Sequence, residues 1–510
     1  MQITVSWYNR KVKVLGNYKL EIILGILIVI LYFALRLPNL TLQPIFADEA
    51  IYIRWAQVMK SEPTLRFLPL TDGKAPLFMW IMMPMFKIFT DSLFAGRFLS
   101  VLSGFATLTG VFALSWKVFN IRVALWSALI YAIVPYTVFF DRLALVDSML
   151  SAFTIWSIFF AAWLLKSQRL DLSMILGFLL GGAMLTKTPA IVNLIVLPLS
   201  LIGSSFNKLN KNKLLKLFGC WVLAIFIAIV VYNLLRLGPE FHKLSARNAD
   251  YMFSLSELSG RPLDPFIPHL RDIMDWFPKL LTWPILIIGV IGVIRVIWER
   301  NRLGMVIFIW AMVPLLAQTA FLRTFTARYL LFSIPPLLIL AGFGVEKVLE
   351  LIKGIKNILI IIIIISILPL PLYFDYLLLT NSAEVPLPRA ERRGYLEDWT
   401  AGYGFKEIAQ FLIEKKKNGP VLVGTEGYFG TLPDGLQIYL DKSGIPVIGA
   451  QATISAKIRD AVNANQTYFV SNGTIPHILE RAEKIMEFPK AKPYDTRYPQ
   501  GIIILYRVLP

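Results

Sequence analysis

Long runs of apolar residues, separated by shorter polar segments, occupy most of the chain. Runs of about 18 or more apolar residues are typical of helices that cross a bilayer. The pattern predicts eleven membrane-spanning helices within residues 20–379. They are expected at 20–36, 98–116, 122–140, 148–165, 173–186, 189–206, 217–235, 280–298, 303–320, 329–346 and 357–378.

Basic residues between these runs indicate the orientation of the chain. With eleven helices, the Lys- and Arg-rich loops fall on one side together with the basic N-terminal segment 1–19, and that side is expected to be the cytoplasm. Residues 76–89 form a short apolar segment containing Pro84, which predicts a juxtamembrane or re-entrant helix on the outer side. The chain is therefore expected to be a multi-pass protein of the cell membrane, with outer loops at 37–97 and 236–277.

The C-terminal segment 380–510 follows a different pattern. Strand-like and helical segments alternate there, with strands at 420–425, 445–450, 466–471 and 501–509 and helices at 404–418, 431–443, 454–464 and 476–487. Such alternation is typical of a small α/β domain with a largely parallel sheet. The predicted fold class is an α-helical polytopic membrane protein with a small C-terminal α/β soluble domain on the extracytoplasmic side.

Composition and charge support this interpretation. The chain is 56% hydrophobic and 16% charged, whereas soluble domains are about 25% charged. Its formal net charge of +18 would indicate nucleic-acid binding in a soluble protein, but these basic residues lie in short loops between apolar runs, so no nucleic-acid partner is expected. Cys220 is the single cysteine, which excludes an intrachain disulfide.

Charged residues gather at the predicted outer ends of the spans. They are Asp48, Glu49, Lys74, Arg97, Asp141, Arg142, Asp147, Lys187, Arg323 and Arg328. Each has a structural alternative: the Asp48–Glu49 pair could be a solvated loop end, and Lys74 could reach from the bilayer interface. Together they fit a site for an anionic lipid phosphate, in which cations neutralise the leaving phosphate and a carboxylate deprotonates an incoming hydroxyl.

Several short motifs carry a family resemblance in a fixed order. They are ADEAIY (47–52), GKAPLFMW (73–80), AGRFLSVLSG (95–104), FFDRLALVDSML (139–150), LTKTP (185–189) and RYLLFSIPP (328–336). In these motifs the chain resembles the integral-membrane GT-C glycosyltransferases, in the branch of the protein O-mannosyltransferases and the aminoarabinose lipid A transferases. The resemblance covers about residues 20–380.

The resemblance implies a hexosyl- or pentosyltransferase at the outer membrane face. Its donor would be a polyprenyl-phosphate-linked sugar, with mannose as the usual choice, and its acceptor a hydroxyl of a protein, lipid or glycan. By resemblance, Asp48 is the catalytic base supported by Glu49, and the donor phosphate is bound by Lys74, Arg142 and Arg328. The same motifs imply a cavity lined by Tyr52, Arg97, Asp147 and Lys187.

The chain departs from the protein O-mannosyltransferases at one motif, since it has GKAPL in place of a His-containing H-P-P-L stretch. This difference weakens the expectation that the acceptor is a protein. His242, His269 and His477 form no H-x-x-H motif, so a divalent metal is possible but no cofactor is expected to be required. A transporter or flippase of lipid-linked sugars is the alternative, because it could use the same cationic cavity without chemistry. Such folds usually show internal repeats, and none is visible in this sequence.

Overall fold

The computed structural model describes residues 19–204, 210–261, 263–351, 356–451, 454–473 and 481–510, so all but the last residue of the predicted cytoplasmic segment 1–19 lies outside the described residues. The part before residue 380 is almost entirely helical. Its helices are α1 (Lys19–Arg36), α2 (Ala47–Ser61), α3 (Leu77–Met85), α4 (Ser92–Val118), α5 (Ile121–Ile133), α6 (Pro135–Asp141), α7 (Asp147–Ser167), α8 (Leu170–Thr186), α9 (Ile191–Val196), α10 (Lys211–Tyr232), α11 (Lys243–Tyr251), α12 (Leu255–Gly260), α13 (Phe266–Leu280), α14 (Trp283–Trp298), α15 (Arg302–Phe321), α16 (Ile334–Leu351), α17 (Lys356–Ile367) and α18 (Pro369–Thr380).

Six helical segments in the described part of the chain are long and apolar enough to cross a membrane. They are Ser92–Val118, Asp147–Ser167, Lys211–Leu237, Arg302–Phe321, Ala327–Leu351 and Ile358–Thr380. The bent pairs α5–α6 and α13–α14 raise the number to eight if each pair is one span. The remaining predicted spans coincide with α1, α8 and the broken helix Thr188–Gly203. The predicted polytopic helical fold is therefore confirmed, and the orientation of its termini stays a prediction.

A proline causes the bend between α5 and α6. Pro135 has no backbone N–H, and Val134 before it is extended at φ −67° and ψ 129° because a proline disfavours helical geometry in the preceding residue. The two helices meet at 58°. As a result, α6 ends at Asp141, and the next residue, Arg142, reaches the C-terminal end of α1.

A two-stranded antiparallel ribbon joins the first outer loop to the C-terminal segment. Strand β1 (Ile45–Phe46) pairs with β2 (Ala401–Gly402), with Ile45 opposite Gly402. The pairing continues into helix α2, because the backbone N–H of Ala47 donates to the carbonyl of Thr400 at 3.0 Å. The start of α2 is therefore held both by the preceding membrane part of the chain and by the C-terminal segment.

The C-terminal segment forms an α/β domain around a five-stranded sheet. After α19 (Arg389–Arg392) and β2, its elements are α20 (Phe405–Lys416), β3 (Val421–Glu426), α21 (Asp434–Leu440), β4 (Val447–Ala450), α22 (Ala456–Asp460), β5 (Gln466–Gly473), β6 (Ala482–Pro489) and β7 (Ile502–Val508). The strand order is β4-β3-β5-β7-β6. Strand β3 is parallel to β4 and β5, whereas β7 is antiparallel to β5 and β6.

Two details of this domain differ from the prediction. The sheet is half parallel rather than largely parallel. Residues 482–489, predicted as part of a helix at 476–487, form the edge strand β6, while 474–480 lie outside the described residues. The charged residues of β6, such as Glu483 and Lys484, fit an edge strand, where such side chains face solvent and discourage pairing with other chains.

Candidate active site

A cavity of about 190 Å³ opens among the helix ends that the sequence analysis assigns to the outer side. Its walls come from the first outer loop, the ends of α7, α8 and α15, and helix α11 of the second outer loop. Six of the nine predicted site residues line it, namely Asp48, Tyr52, Lys74, Asp147, Lys187 and Arg328. The structure therefore brings together residues that are far apart in the sequence.

Asp48 lies between two cations at one wall of this cavity. Its Oδ2 is 2.6 Å from Nη2 of Arg328, and its Oδ1 is 3.5 Å from Nζ of Lys74. Asp48 is in the first turn of α2, where the helix dipole favours a negative charge. Tyr52, one turn further along α2, forms a cation–π contact with Lys74, whose Nζ is 5.1 Å from the ring centroid.

The cations hold Asp48 in its charged form. Burial alone raises the pKa of Asp48, but the positive charges of Arg328 and Lys74 outweigh this effect and place the pKa well below its usual range. Burial likewise lowers the pKa of Lys74, but the neighbouring Tyr52 and Asp48 outweigh it and raise that pKa above its usual value. Both groups are therefore charged at neutral pH.

A second ion pair lines the same cavity. Nζ of Lys187 is 2.6 Å from Oδ1 of Asp147, which lies in the first turn of α7. Lys187 also contacts the ring of Tyr329, whose centroid is 4.0 Å from Nζ. Because Tyr329 is next to Arg328 in sequence, this contact connects the second ion pair to the first.

Glu49 and Arg97 do not line the cavity. This corrects the prediction that Arg97 is a lining residue, whereas the predicted support of Asp48 by Glu49 stays a prediction. The two residues form a fully buried pair: Nε and Nη2 of Arg97 each donate to a carboxylate oxygen of Glu49 at 2.8 Å. Glu49 also accepts from the backbone N–H groups of Phe46 at 3.0 Å and Ala144 at 2.6 Å. Its oxygens are thus used in fixing the N-terminal end of α2, one residue from Asp48.

Arg142 is also outside the cavity, although a phosphate contact was predicted for it. Its guanidinium is buried and donates to the backbone carbonyls of Arg36 at 2.7 Å, Pro38 at 3.0 Å and Asn39 at 2.9 Å. These carbonyls lie at and just after the C-terminal end of α1, where backbone carbonyls have no N–H partner within the helix. Arg142 therefore holds the segment that leads from α1 toward Asp48.

The sequence analysis did not identify two groups near Lys74. Asp72 lies 3.3 Å from Nζ of Lys74 and 3.7 Å from Nη2 of Arg247, a residue of α11 that lines the cavity. Asp72 is two residues from Lys74, so its proximity was visible in the sequence. Arg247 comes from the second outer loop, and nothing in its local sequence indicates where that loop folds.

Among the residues that the structure describes, no three His, Cys, Asp or Glu side chains lie together in a way that could hold a metal ion. His242 and His269 do not line the cavity, and His477 lies outside the described residues.

Residues 73–232 match the family model described as dolichyl-phosphate-mannose-protein mannosyltransferase. This range contains Lys74, Asp147 and Lys187 but not Asp48 or Arg328. No curated protein sequence matches the chain.

Solved structures of membrane glycosyltransferases match over nearly the whole chain. ArnT from Cupriavidus metallidurans bound to undecaprenyl phosphate is 15% identical with a TM-score of 0.59, over 96% of this chain and 98% of that one. Archaeal oligosaccharyltransferase AglB from Archaeoglobus fulgidus, in complex with an inhibitory peptide and a dolichol-phosphate, is 14% identical with a TM-score of 0.53, over 90% of this chain and 70% of that one. The chain thus shares the fold of these proteins, and the predicted resemblance to the GT-C glycosyltransferases is confirmed.

Proposed function

We propose that the protein is a GT-C glycosyltransferase that moves a sugar from a polyprenyl-phosphate donor to an acceptor hydroxyl at the outer membrane face. The observation that carries this proposal is the position of Asp48, a carboxylate held between Lys74 and Arg328 in a cavity among helix ends that are predicted to lie on the outer side. A base beside two phosphate-binding cations is what such a transfer needs.

The charge and shape of the cavity support a lipid phosphate as ligand. Four cationic side chains line it, namely Lys74, Lys187, Arg247 and Arg328, against the two carboxylates Asp48 and Asp147. Asp72, which is not among the lining residues, pairs with Lys74 and Arg247 and offsets part of this positive charge. The groups that line the cavity still favour an anion, and Arg is well suited to phosphate because its N–H groups form a fork. The rest of the wall is largely apolar and includes Ile191, Val192, Met252, Phe321 and Leu322, which fits the first units of a prenyl chain.

The positions of Asp48, Lys74 and Arg328 define the steps of the proposed sugar transfer. The donor phosphate binds Arg328 and Lys74 and thereby takes over the cations that now pair with Asp48. This exchange raises the basicity of Asp48 at the moment when an acceptor hydroxyl approaches. The hydroxyl oxygen attacks the anomeric carbon, the bond from that carbon to the phosphate oxygen breaks, the phosphate leaves with the electron pair, and Asp48 takes the proton. The attack inverts the anomeric centre.

The relatives support the class of donor. The ArnT structure contains undecaprenyl phosphate and the AglB structure contains a dolichol-phosphate, each a single-phosphate prenyl lipid. The matched family model concerns mannose transfer to protein, so mannose is the first sugar to test. The acceptor is a hydroxyl of a protein, lipid or glycan.

The test uses the full chain in lipid nanodiscs with polyprenyl-phosphate mannose and analyses products by mass spectrometry. Asp48→Asn is expected to lower transfer by about 10²-fold or more while donor binding persists. Asp264→Asn is the matched control, because Asp264 is an exposed acid of the second outer loop that pairs with Arg261 and does not line the cavity. Wild-type transfer in Asp48→Asn would contradict the role of Asp48, and a wild-type chain that moves intact donor across a bilayer without releasing product would favour the transporter alternative.

A further inference from the structure

Three exposed aromatic side chains lie together on the C-terminal domain. Trp399, Tyr428 and Phe429 are 55%, 68% and 48% exposed. Tyr428 and Phe429 belong to one glycine-flanked loop, and Trp399 is beside that loop, since a Cβ atom at Gly430 would be 3.7 Å from its ring. We call these three residues the aromatic platform. Large contiguous apolar surfaces of this kind usually mark an interaction site.

The platform lies at the edge of the sheet where α/β domains bind ligands. The chain runs from β3 to its neighbour β4 on one side and then back past β3 to β5 on the other side, so the two crossovers run in opposite directions and the strand order switches between β3 and β5. Ligands of open α/β sheets bind outside the carboxyl ends of the strands at such a point. Tyr428 and Phe429 follow directly after β3, and Asn472 near the end of β5 donates to the carbonyl of Trp399 at 2.8 Å.

The loop that carries the platform is held rigidly. Gly427 and Gly430 have φ values of +99° and +102°, which only glycine adopts without strain. The N–H of Gly427 donates to Ala450 at 2.7 Å, and the N–H of Gly430 donates to the carboxylate of Asp434 at 2.7 Å. Exposed rings on a fixed backbone lose little conformational entropy on binding, so the platform is pre-organised for a ligand.

Packed side chains connect the platform to the residues of the catalytic cavity. The ring of Phe429 is 6.0 Å from that of the buried Trp55 in helix α2, centroid to centroid. Trp55 follows Asp48 by two helical turns on the same face of α2, and Nζ of Lys74 is 5.6 Å from its ring centroid. The platform is therefore linked through Trp55 to the helix face that carries Asp48.

We infer that the aromatic platform binds a saccharide portion of the acceptor; this inference rests on the proposed function, whose acceptor it specifies. The faces of sugar rings carry C–H groups that pack on aromatic rings, and their hydroxyls pair with carboxylates and amides. Glu426 at the end of β3 accepts from the backbone N–H of Asn472 at 2.7 Å, and Asp398, which precedes Trp399, pairs with Arg393 at 3.0 Å. An anionic membrane surface instead selects Lys and Arg clusters. Because the charge of Arg393 is paired with Asp398, the platform favours an uncharged sugar over anionic lipid headgroups.

The experiment measures acceptor and donor KM separately, with the full chain in nanodiscs and polyprenyl-phosphate mannose as donor. Two acceptor classes are compared, a panel of soluble oligosaccharides (mannotriose, maltotriose and chitotriose) and a Ser/Thr-rich peptide. Tyr428→Ala and Trp399→Ala are expected to raise the KM for an oligosaccharide acceptor about tenfold, with kcat and the donor KM unchanged. Leu509→Ala is the control, because Leu509 is an exposed apolar side chain of the same domain outside the platform, and this variant should keep the wild-type oligosaccharide KM.

The outcomes separate this inference from the proposed function. If the wild-type chain transfers mannose but accepts only the peptide, or if both alanine variants keep the wild-type oligosaccharide KM, the saccharide platform is wrong while the glycosyltransferase stands. A rise in donor KM alone would show that the rings contact the membrane and would also overturn it. Absence of transfer to any acceptor, with Asp48→Asn identical to the wild type, would instead contradict the proposed function, which this inference requires.

Discussion

Asp48 and Arg328 form an ion pair with a 2.6 Å separation in the wall of the cavity, although one residue follows the first predicted span and the other precedes a late one. The pair occupies the position in which we place the donor phosphate. In the proposed mechanism Arg328 therefore has two alternative anionic partners, the carboxylate and the phosphate, and donor binding would exchange one for the other.

Removal of this cation is expected to weaken donor binding. A hydrogen bond to a charged group contributes about 1.5–3 kcal/mol, so Arg328→Gln should raise the donor Kd by about 10- to 100-fold. Lys74→Met should act in the same direction with a smaller effect, since Lys binds phosphate as a point charge. Binding of polyprenyl-phosphate mannose to the nanodisc-embedded protein would be titrated directly. Arg323→Gln is the control, because Arg323 pairs with the exposed Glu257, and equal donor Kd values for both arginine variants would refute the assignment.

The pH dependence of the reaction should reveal the same exchange. Burial raises the pKa of Asp48, but the charges of Arg328 and Lys74 place it below its usual range. Asp48 of the free protein therefore stays ionised even near the pKa of about 3.9 of an ordinary aspartate, and kcat/KM should show no acid-side decline from this group. In Arg328→Gln the charge of Arg328 is lost, so the pKa of Asp48 should rise toward its usual value and an acid limb should move upward in pH. A pH–rate profile of kcat/KM from about pH 3 to pH 7 for both proteins measures this. Profiles of identical shape would mean that Arg328 does not control Asp48.

Glu49 is expected to contribute mainly to the stability of the folded protein. Its pair with Arg97 is fully buried, and removal of one partner of such a pair costs about 3–5 kcal/mol because a buried charge is left alone. Glu49→Gln should therefore lower the thermal unfolding midpoint clearly, and Glu49→Gln with Arg97→Met should cost less than the sum of the two single changes. Glu257→Gln, at an exposed pair, is the control and should unfold as the wild type does. Additive effects in the double variant would speak against a coupled pair.

Substitution of Arg142 should show whether this residue has a structural role or binds the donor phosphate. Since its N–H groups donate to backbone carbonyls at the end of α1, Arg142→Gln should lower kcat and the unfolding midpoint while the donor Kd changes by less than about threefold. Donor binding and single-turnover transfer would be measured on the same preparation. A donor Kd raised as strongly as in Arg328→Gln would restore the contact that the sequence had predicted.

The membrane architecture and most of the cavity were predictable from the sequence for physical reasons. Apolar runs have few alternatives in a bilayer, so the spans follow from hydropathy alone. Charged residues at span ends are costly unless they meet a partner or water, which is why Asp48, Lys74, Asp147, Lys187 and Arg328 could be expected in one place.

The errors have a common origin. Arg97 and Arg142 carry the same charge as Arg328 and also lie near predicted span ends, but they donate to backbone carbonyls between the end of α1 and the start of α2. Nothing in a one-dimensional pattern separates an arginine that faces a cavity from one that faces a helix end. Arg247 was missed because its position depends on the folding of a long loop, and β6 because charged residues fit an exposed helix and an edge strand equally well.

The ribbon between β1 and β2 connects the C-terminal domain mechanically to the proposed active site. Ile45 and Phe46, paired with Gly402 and Ala401, immediately precede the helix that begins with the Asp48 turn. Removal of the domain beyond residue 380 would therefore take away the strand that pairs with the backbone just before Asp48. In the proposed mechanism, a force or ligand that shifts this domain would act on the proposed base through two residues of backbone pairing.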